Sequence, residues 1–482
     1  MKLTLSQLAD VLNITFTGID CTFSQVSINT RTINKGDLFV AIKGEHFDAH
    51  YYIQEAIDKG ACGVVMERGN LDTEHSNIAQ LQVIDSRIAL GQIASLWRNS
   101  LSLAVVAITG SCGKTTLKEM TTSIFKQTSD QVLATKGNLN NDIGVPLTLM
   151  RLDETDQMAV IEIGANHRAE IDQLVHYVKP DVAVITNATH AHIEGFGSLE
   201  GVAQAKAEIY NGIKEYGTAI INADDDFADY WLNYCQTNLA DKSLHCVTFG
   251  LDQNADVSAS YQRNSEGIEL EIHTPEGELN IVLKQYGKHN IYNALAASAV
   301  ALSVGCTLKH IKKGLESFNN ISGRLEQKQG IAETMIFDDS YNANPASVRA
   351  GIDALQQLDG DTLLILGDMG ELGQESDALH YQLGLDMAKM GVTKLFTLGQ
   401  YSEATCQAFL SIQKELSIQK EQAEHFFTKE DLVSKVKNYL HHNLKSKKNM
   451  LIKGSRSMAM ETIVTQLLLQ DKNEISHIKG GQ

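Results

Sequence analysis

The sequence predicts an α/β protein of three domains, each built on a mostly parallel sheet with helices packed against it. Three observations carry that expectation. The chain has 482 residues, too many for one ordinary core, and about 150 residues per domain gives about three. Apolar stretches of strand length recur between segments of helical pattern, the alternation that builds buried parallel strands. A glycine-rich turn, TGSCGKTT, joins one such strand to a helix and marks the central sheet. The divisions expected are 1–100, 101–320 and 321–482, the last beside Ser322-Gly323.

Taken in order, MKLTLSQLADVLNITF carries Asp10 and other polar residues inside its apolar pattern. It therefore reads as an amphipathic helix and not as a secretion signal. DLFVAI and CGVVM are the strands of the first domain; LAVVAIT, MAVIEIG, DVAVITN and TAIIN those of the second; TLLILGD, KLFTLG and NMLIKG those of the third. SIQKEL at 411 is followed at once by SIQKEQ at 417, a duplication expected in an exposed charged helix and too short for a solenoid. The polar tail DKNEISHIKGGQ is expected to fray.

Hydrophobic residues make up 43% and charged residues 21% of the chain, and no apolar run approaches the roughly 20 residues of a membrane-spanning helix. No membrane insertion and a cytoplasmic location are expected. Seven cysteines, at 21, 62, 112, 235, 246, 306 and 406, form no zinc-type cluster and are expected to be reduced and unpaired. A formal charge of −18 argues against a nucleic-acid surface, which needs a clustered basic face. A small anion is different, because a few lysines and backbone amides can hold it.

The stretch AVVAITGSCGKTTLKEM places Thr109, Gly110, Ser111, Cys112, Gly113, Lys114, Thr115 and Thr116 between a strand and a helix beginning near Lys114. Gly110 and Gly113 permit a turn whose amides point at a phosphate, Lys114 neutralises the outer phosphates, and the Thr115 hydroxyl can meet magnesium. A lysine at a helix N-terminus opposes the dipole and calls for an anionic partner, which a bare glycine turn does not explain. Cys112 is expected to be a small loop residue. Glu162 intrudes into the apolar MAVIEIG, where its charge is costly unless paired with a cation or metal. The next strand leads to His190 and His192; parallel strands bring these ends to the edge that carries the phosphate loop. His190 is expected to be solvated.

TGSCGKTT, KGNLNNDIGVPLTLM, EIGANHRAEI, HAHIEGFGSLEGVAQAKAEIY, YGKHNIYNALAA, SGRLEQ and DDSYNANPASV, in this order, resemble the Mur ligase family. NTRTINKGDLFVAIKGEHFDAHYY extends the likeness toward the N-terminus. Within the family the chain is most similar to the branch whose substrates are UDP-N-acetylmuramoyl-tripeptide and D-alanyl-D-alanine. The usual GxxxxGK spacing would want a glycine where Ile108 stands, but that family uses a shorter TGxxGKT loop, so no glycine is absent.

The resemblance implies a smaller α/β N-terminal domain for the UDP substrate, a central ATP-binding domain and a Rossmann-like C-terminal domain for the dipeptide, in a monomer. It implies that ATP turns a carboxylate into an acyl phosphate, which an amine then attacks. Lys114 and Thr115 would grip phosphate and a first magnesium, with Glu162 and His192 as further metal ligands. Lys206 would be carbamylated by carbon dioxide and help to place a second magnesium. Lys114, Lys206 and His192 are thus the implied catalytic set. Asn290 and Asn293 share a helix face and suit an adenine edge, while Arg324 and Asp339 would reach phosphate and ribose. Thr30, Arg31, Asp48 and His50 would hold the UDP portion and Asn140 and Asn141 the tripeptide end. Tyr341, Asn342 and Asn344, with GDMGELG, would face the dipeptide.

Rival readings are weaker. NKGD at 34–37 matches a guanine-specifying pattern, yet the apolar strand follows it instead of preceding it. The N-terminal block disfavours folate-type ligases, and the acidic-arginine segment of diamino-acid adders is not found. A binding protein has no need of Lys114, Glu162, His192 and Lys206 together.

Overall fold

The computed structural model describes residues 1–16, 18–69, 78–190, 193–264, 267–415, 422–443 and 446–469. The helix Leu5–Leu12 opens with a capping box of Thr4 and Gln7 and closes at Asn13, whose φ of 50° suits the left-handed cap. Its apolar face, Leu5, Leu8 and Ala9, is buried. Behind it the strands Val26–Ser27, Leu38–Val40, Gly63–Glu67 and Ala79–Val83 pair in parallel in that order. NKGD is a turn closed on itself, with the Asn34 amide donating to Asp37.

The central sheet is parallel throughout, in the order His245–Phe249, Thr218–Asn222, Val182–Ile185, Ala104–Thr109, Met158–Glu162, Val132–Ala134. Alternation along Ala104–Thr109 explains its position in the middle. Val105 and Ala107 enter one apolar core and Val106 and Ile108 the other, so both faces are covered. Ile108 is paired with Glu162, and Thr109 with Ile185, so all three strands end at one edge. A three-stranded antiparallel sheet, Ser258–Asn264, Gly267–Thr274 and Gly277–Leu283, was not anticipated. Its signal was the alternation in IELEIH, where Ile268, Leu270 and Ile272 are buried.

The third unit pairs Met335–Asp339, Lys448–Lys453, Asp361–Gly367, Lys394–Leu398 and Ala423–Phe426 in parallel, with Glu326–Gln329 antiparallel at one edge. Helices cover both of its faces. The helix Ser402–Glu415 carries most of SIQKEL, and there Gln413 is buried and bonded to Gln422 instead of exposed. Residues 416–421, most of the second copy, and the tail from 470 lie outside the described residues. All seven cysteines are free thiols. No helix among the described residues is long and apolar enough to cross a membrane.

The first and central units share one apolar core running from Leu3 to Leu239. The helix Ser86–Asn99 joins them: Trp97 Nε1 donates to the Leu152 carbonyl at 2.9 Å, and the buried Arg98 donates to the carbonyls of Val178 and Lys179 at 3.1 and 3.3 Å. Arg98→Ala is expected to destabilise the protein by about 3 kcal/mol, because it strands buried acceptors of a charged donor. Denaturant unfolding of the two proteins measures this.

Candidate functional site

The phosphate loop needs its glycines for both space and backbone. Gly110 has φ 147° and a Cβ there would lie 1.8 Å from Thr186 Oγ1; Gly113 has φ 84° and a Cβ would lie 2.7 Å from Asn293 Oδ1. Thr109 is fully buried and its carbonyl accepts from the Thr186 amide. Asn187 ties the turn down, its carbonyl accepting from the Ser111 amide at 3.0 Å and its Oδ1 from the Cys112 amide at 2.9 Å. Gly110→Ala is expected to abolish nucleotide binding. The wild type should gain about 2.7 kcal/mol of stability at 100 times the dissociation constant of ATP, and the variant nothing, in thermal shift assays.

Lys114 is the first residue of the helix Lys114–Phe125, and its Nζ donates to the Gly110 carbonyl at 2.6 Å. Desolvation lowers its pKa, and the Glu162 charge opposes that shift. Glu162, 2% exposed, accepts from Thr115 Oγ1 at 3.1 Å and from Asn140 Nδ2 at 2.8 Å. A hydroxyl and a carboxylate side by side are the hard oxygen donors that suit magnesium. Asn140, assigned to the tripeptide end, here orients Glu162, and the Asn141 side chain accepts from the Gly144 amide at 2.9 Å.

Lys206 lies in the helix Leu199–Ala207, 1% exposed, with Nζ 5.5 Å from the centre of the Phe196 ring. Burial first, and then the like charge of Lys114, pull its pKa down to about 7. A large share of this amine is therefore neutral near pH 7. His192 lies outside the described residues, and His190 is the last one before that gap. Among the described residues no three His, Cys, Asp or Glu side chains converge on a metal position.

Lys114, Thr115, Asn140, Asn141 and Glu162 line a cavity of about 730 Å³ whose other wall belongs to the third unit, while Lys206 is not among its lining residues. Asn290 and Asn293, on the helix Lys288–Ser303, are both buried; the Asn293 amide donates to Asn290 Oδ1 at 3.2 Å and Asn290 donates to the Tyr286 carbonyl at 2.8 Å. The Arg324 guanidinium stacks 4.1 Å from the centre of the Tyr341 ring. Asp339 pairs with Lys453, which also donates to the Asn342 carbonyl at 2.8 Å. Asn344 caps the helix Pro345–Leu355 with Oδ1 and reaches across with Nδ2 to Cys112 Sγ at 3.1 Å. Cys112 is thus a contact between units and more than a small loop residue. Lys453 was missed by the sequence reading. Its signal was a lysine inside the apolar MLIKG, the argument that found Glu162.

Thr30, Arg31, Asp48 and His50 sit in the first unit and do not line this cavity. The Thr30 carbonyl accepts from Lys59, and Arg31 is exposed. His50 is buried with both ring nitrogens engaged: Nδ1 lies 2.6 Å from Asp48 Oδ1, and Nε2 accepts from the Glu67 amide at 3.0 Å.

Comparison with known proteins agrees along most of the chain. Residues 22–98 match the Mur ligase family catalytic domain, 108–301 the Mur ligase middle domain, and 323–456 the Mur ligase glutamate ligase domain. The chain is similar to the UDP-N-acetylmuramoyl-tripeptide--D-alanyl-D-alanine ligase of Escherichia coli (strain K12), with 40% identity over 97% of this chain and 98% of that one. The same-named ligase of Haemophilus influenzae is 39% identical over 97% and 98%. A crystal structure of MurF from Acinetobacter baumannii, 35% identical, superimposes with a TM-score of 0.87 over 97% of this chain and 99% of that one.

Proposed function

The chain belongs to the Mur ligase family, and from that premise we propose that it joins D-alanyl-D-alanine to the terminal carboxylate of UDP-N-acetylmuramoyl-tripeptide at the expense of ATP. The product is UDP-N-acetylmuramoyl-pentapeptide for peptidoglycan synthesis. The observation that carries the reading is one cleft in which Lys114 and the Thr115–Glu162 pair face Arg324, Asp339 and Asn344. The names of the full-length relatives supply the substrates.

A carboxylate is a poor electrophile with a poor leaving group. Moving the γ-phosphoryl group onto it breaks the bond to ADP and leaves a mixed anhydride. The amine then attacks: the N–C bond forms, the C–O bond to phosphate breaks, phosphate leaves with the electron pair, and the amine protons pass to solvent. The protein must crowd two anions together, and preorganised positive charge does this best in a dry site. Lys114 trades the Gly110 carbonyl for phosphate. Thr115 and Glu162, with His192, would hold magnesium, which adds positive charge between the anions. Lys206, buried and partly neutral, is suited to react with carbon dioxide, and as a carbamate it would hold a second ion. Asn290 and Asn293 would meet adenine, and Arg324 and Asp339 the phosphate and ribose. The Asn344–Cys112 contact holds the third unit over the loop and keeps out water, which would hydrolyse the acyl phosphate.

The first unit, 1–100, would take the UDP portion through Thr30, Arg31 and Asp48, with His50 acting by fixing Asp48. Asn140 and Asn141 would lie near the tripeptide end, between the first unit and the central 101–320. In the third, 321–482, Tyr341, Asn342 and Asn344 would face the dipeptide. The reading takes the enzyme as a monomer, and the nucleotide substrates suit the cytoplasm. Mass spectrometry of products tests this: with ATP, magnesium and D-alanyl-D-alanine, pentapeptide should form from a tripeptide ending in lysine or in diaminopimelate. Failure with both tripeptides refutes the reading.

A further inference from the structure

Among the free thiols two pairs meet in space, Cys21 with Cys62 and Cys235 with Cys246. They differ in where the thiol hydrogens go. The Cys21 Sγ donates to the Cys62 carbonyl at 3.4 Å, and burial first, then the hydrogen bond with Cys21, push the Cys62 thiol well up. In that pair one hydrogen is spent on a carbonyl and the other is held fast. Cys235 lies on the helix Ala228–Thr237, 3% exposed in the core shared by the first and central units. Cys246, half-buried, packs against the same core from the strand His245–Phe249, outermost in the central sheet. These two side chains hydrogen-bond to each other, with Cys235 donating. The contact holds Cys246 down to about 7 against the effect of burial, whereas the same contact, and then burial, push Cys235 well up.

A thiol that ionises near neutrality at the surface, backed by one that keeps its proton inside, is the arrangement of a peroxide-sensitive pair. At pH 7 a thiol of pKa about 7 is about 16-fold richer in thiolate than one of about 8.5, and its weaker nucleophilicity takes back about fivefold, which leaves about threefold in rate. What distinguishes the pair is therefore the second thiol and not speed. We propose that Cys235 and Cys246 form a modification site for peroxides, which oxidise the pair to a disulfide. The Cys246 thiolate attacks one peroxide oxygen and the O–O bond breaks, giving a sulfenic acid and, once the leaving hydroxide takes up a proton, water. The Cys235 sulfur then displaces the hydroxyl of the sulfenic acid, and its own proton leaves with that hydroxyl as a second water. Two thiols lose two electrons and hydrogen peroxide gains them. The site lies outside the nucleotide cleft, which neither cysteine lines.

The test treats the full chain with a few equivalents of hydrogen peroxide, alkylates the remaining thiols and maps peptides by mass spectrometry without reductant. The expected result is one linked pair of peptides, carrying Cys235 and Cys246 and two hydrogens lighter than their sum, with the other cysteines alkylated and the link reversed by dithiothreitol. In C235S the link cannot form, and sulfinic acid at Cys246 should rise about tenfold or more over wild type at the same dose. In C246S the buried Cys235 should stay about tenfold or more below that level of oxidation. A wild-type map with no link between 235 and 246, a Cys21–Cys62 link that forms as readily, or equal oxidation in the two variants would overturn the assignment. The wild-type map decides even where a variant fails to fold.

Discussion

Lys114→Ala is expected to lower turnover by about 100- to 1000-fold, the usual cost of removing one preorganised charge-stabilising group. The ammonium stands at a helix N-terminus, against the dipole, and is partly desolvated. Such a placement costs stability in the free protein, and on the proposed reading a polyphosphate taking the place of the Gly110 carbonyl would offset that cost. Coupled ADP release measures the loss, and thermal unfolding checks that the fold survives. A second readout follows from electrostatics. Lys114 helps to depress the pKa of Lys206, so its removal raises that pKa and lowers the share of neutral amine. Full activity in the variant would end the assigned role.

Lys206→Ala is expected to lose activity on a similar scale and to recover part of it when short carboxylic acids are supplied in place of the proposed carbamate. The pH dependence has a definite sign. Carbon dioxide adds to the neutral amine, and the neutral fraction grows as pH rises through about 7. With labelled bicarbonate, the carbamate signal in carbon NMR should therefore strengthen between pH 6 and 8 and vanish in the variant. An unrescued variant with no carbamate signal in the wild type would leave Lys206 a buried lysine and nothing more.

Much of the fold was legible because buried parallel strands demand uninterrupted Val, Ile and Leu, which polar connections then punctuate. All nine apolar runs form strands. The phosphate loop and Glu162 were legible for a related reason: each breaks a local rule at the end of such a strand. Lys453 breaks the same rule and was overlooked. The antiparallel sheet at 258–283 was missed because its alternating pattern was not searched for. Other features have no local signature. The Cys112–Asn344 contact joins residues 232 apart in the chain. His50 belongs to a block expected to hold the UDP portion, and that its ring nitrogens are engaged by Asp48 and the Glu67 amide could not be read from the sequence.

Because the helix Ser86–Asn99 ties the first unit to the central one through Trp97 and Arg98, a uridine held on the first unit, as proposed above, would stand at a fixed span from the phosphate loop. A fixed span is a ruler. A muramoyl chain one amino acid short would leave its acid end shy of Lys114 however tightly the uridine is held, and one already extended would overshoot. Selection of the acceptor by length would then come from the rigidity of this joint and need no side chain that reads the third amino acid.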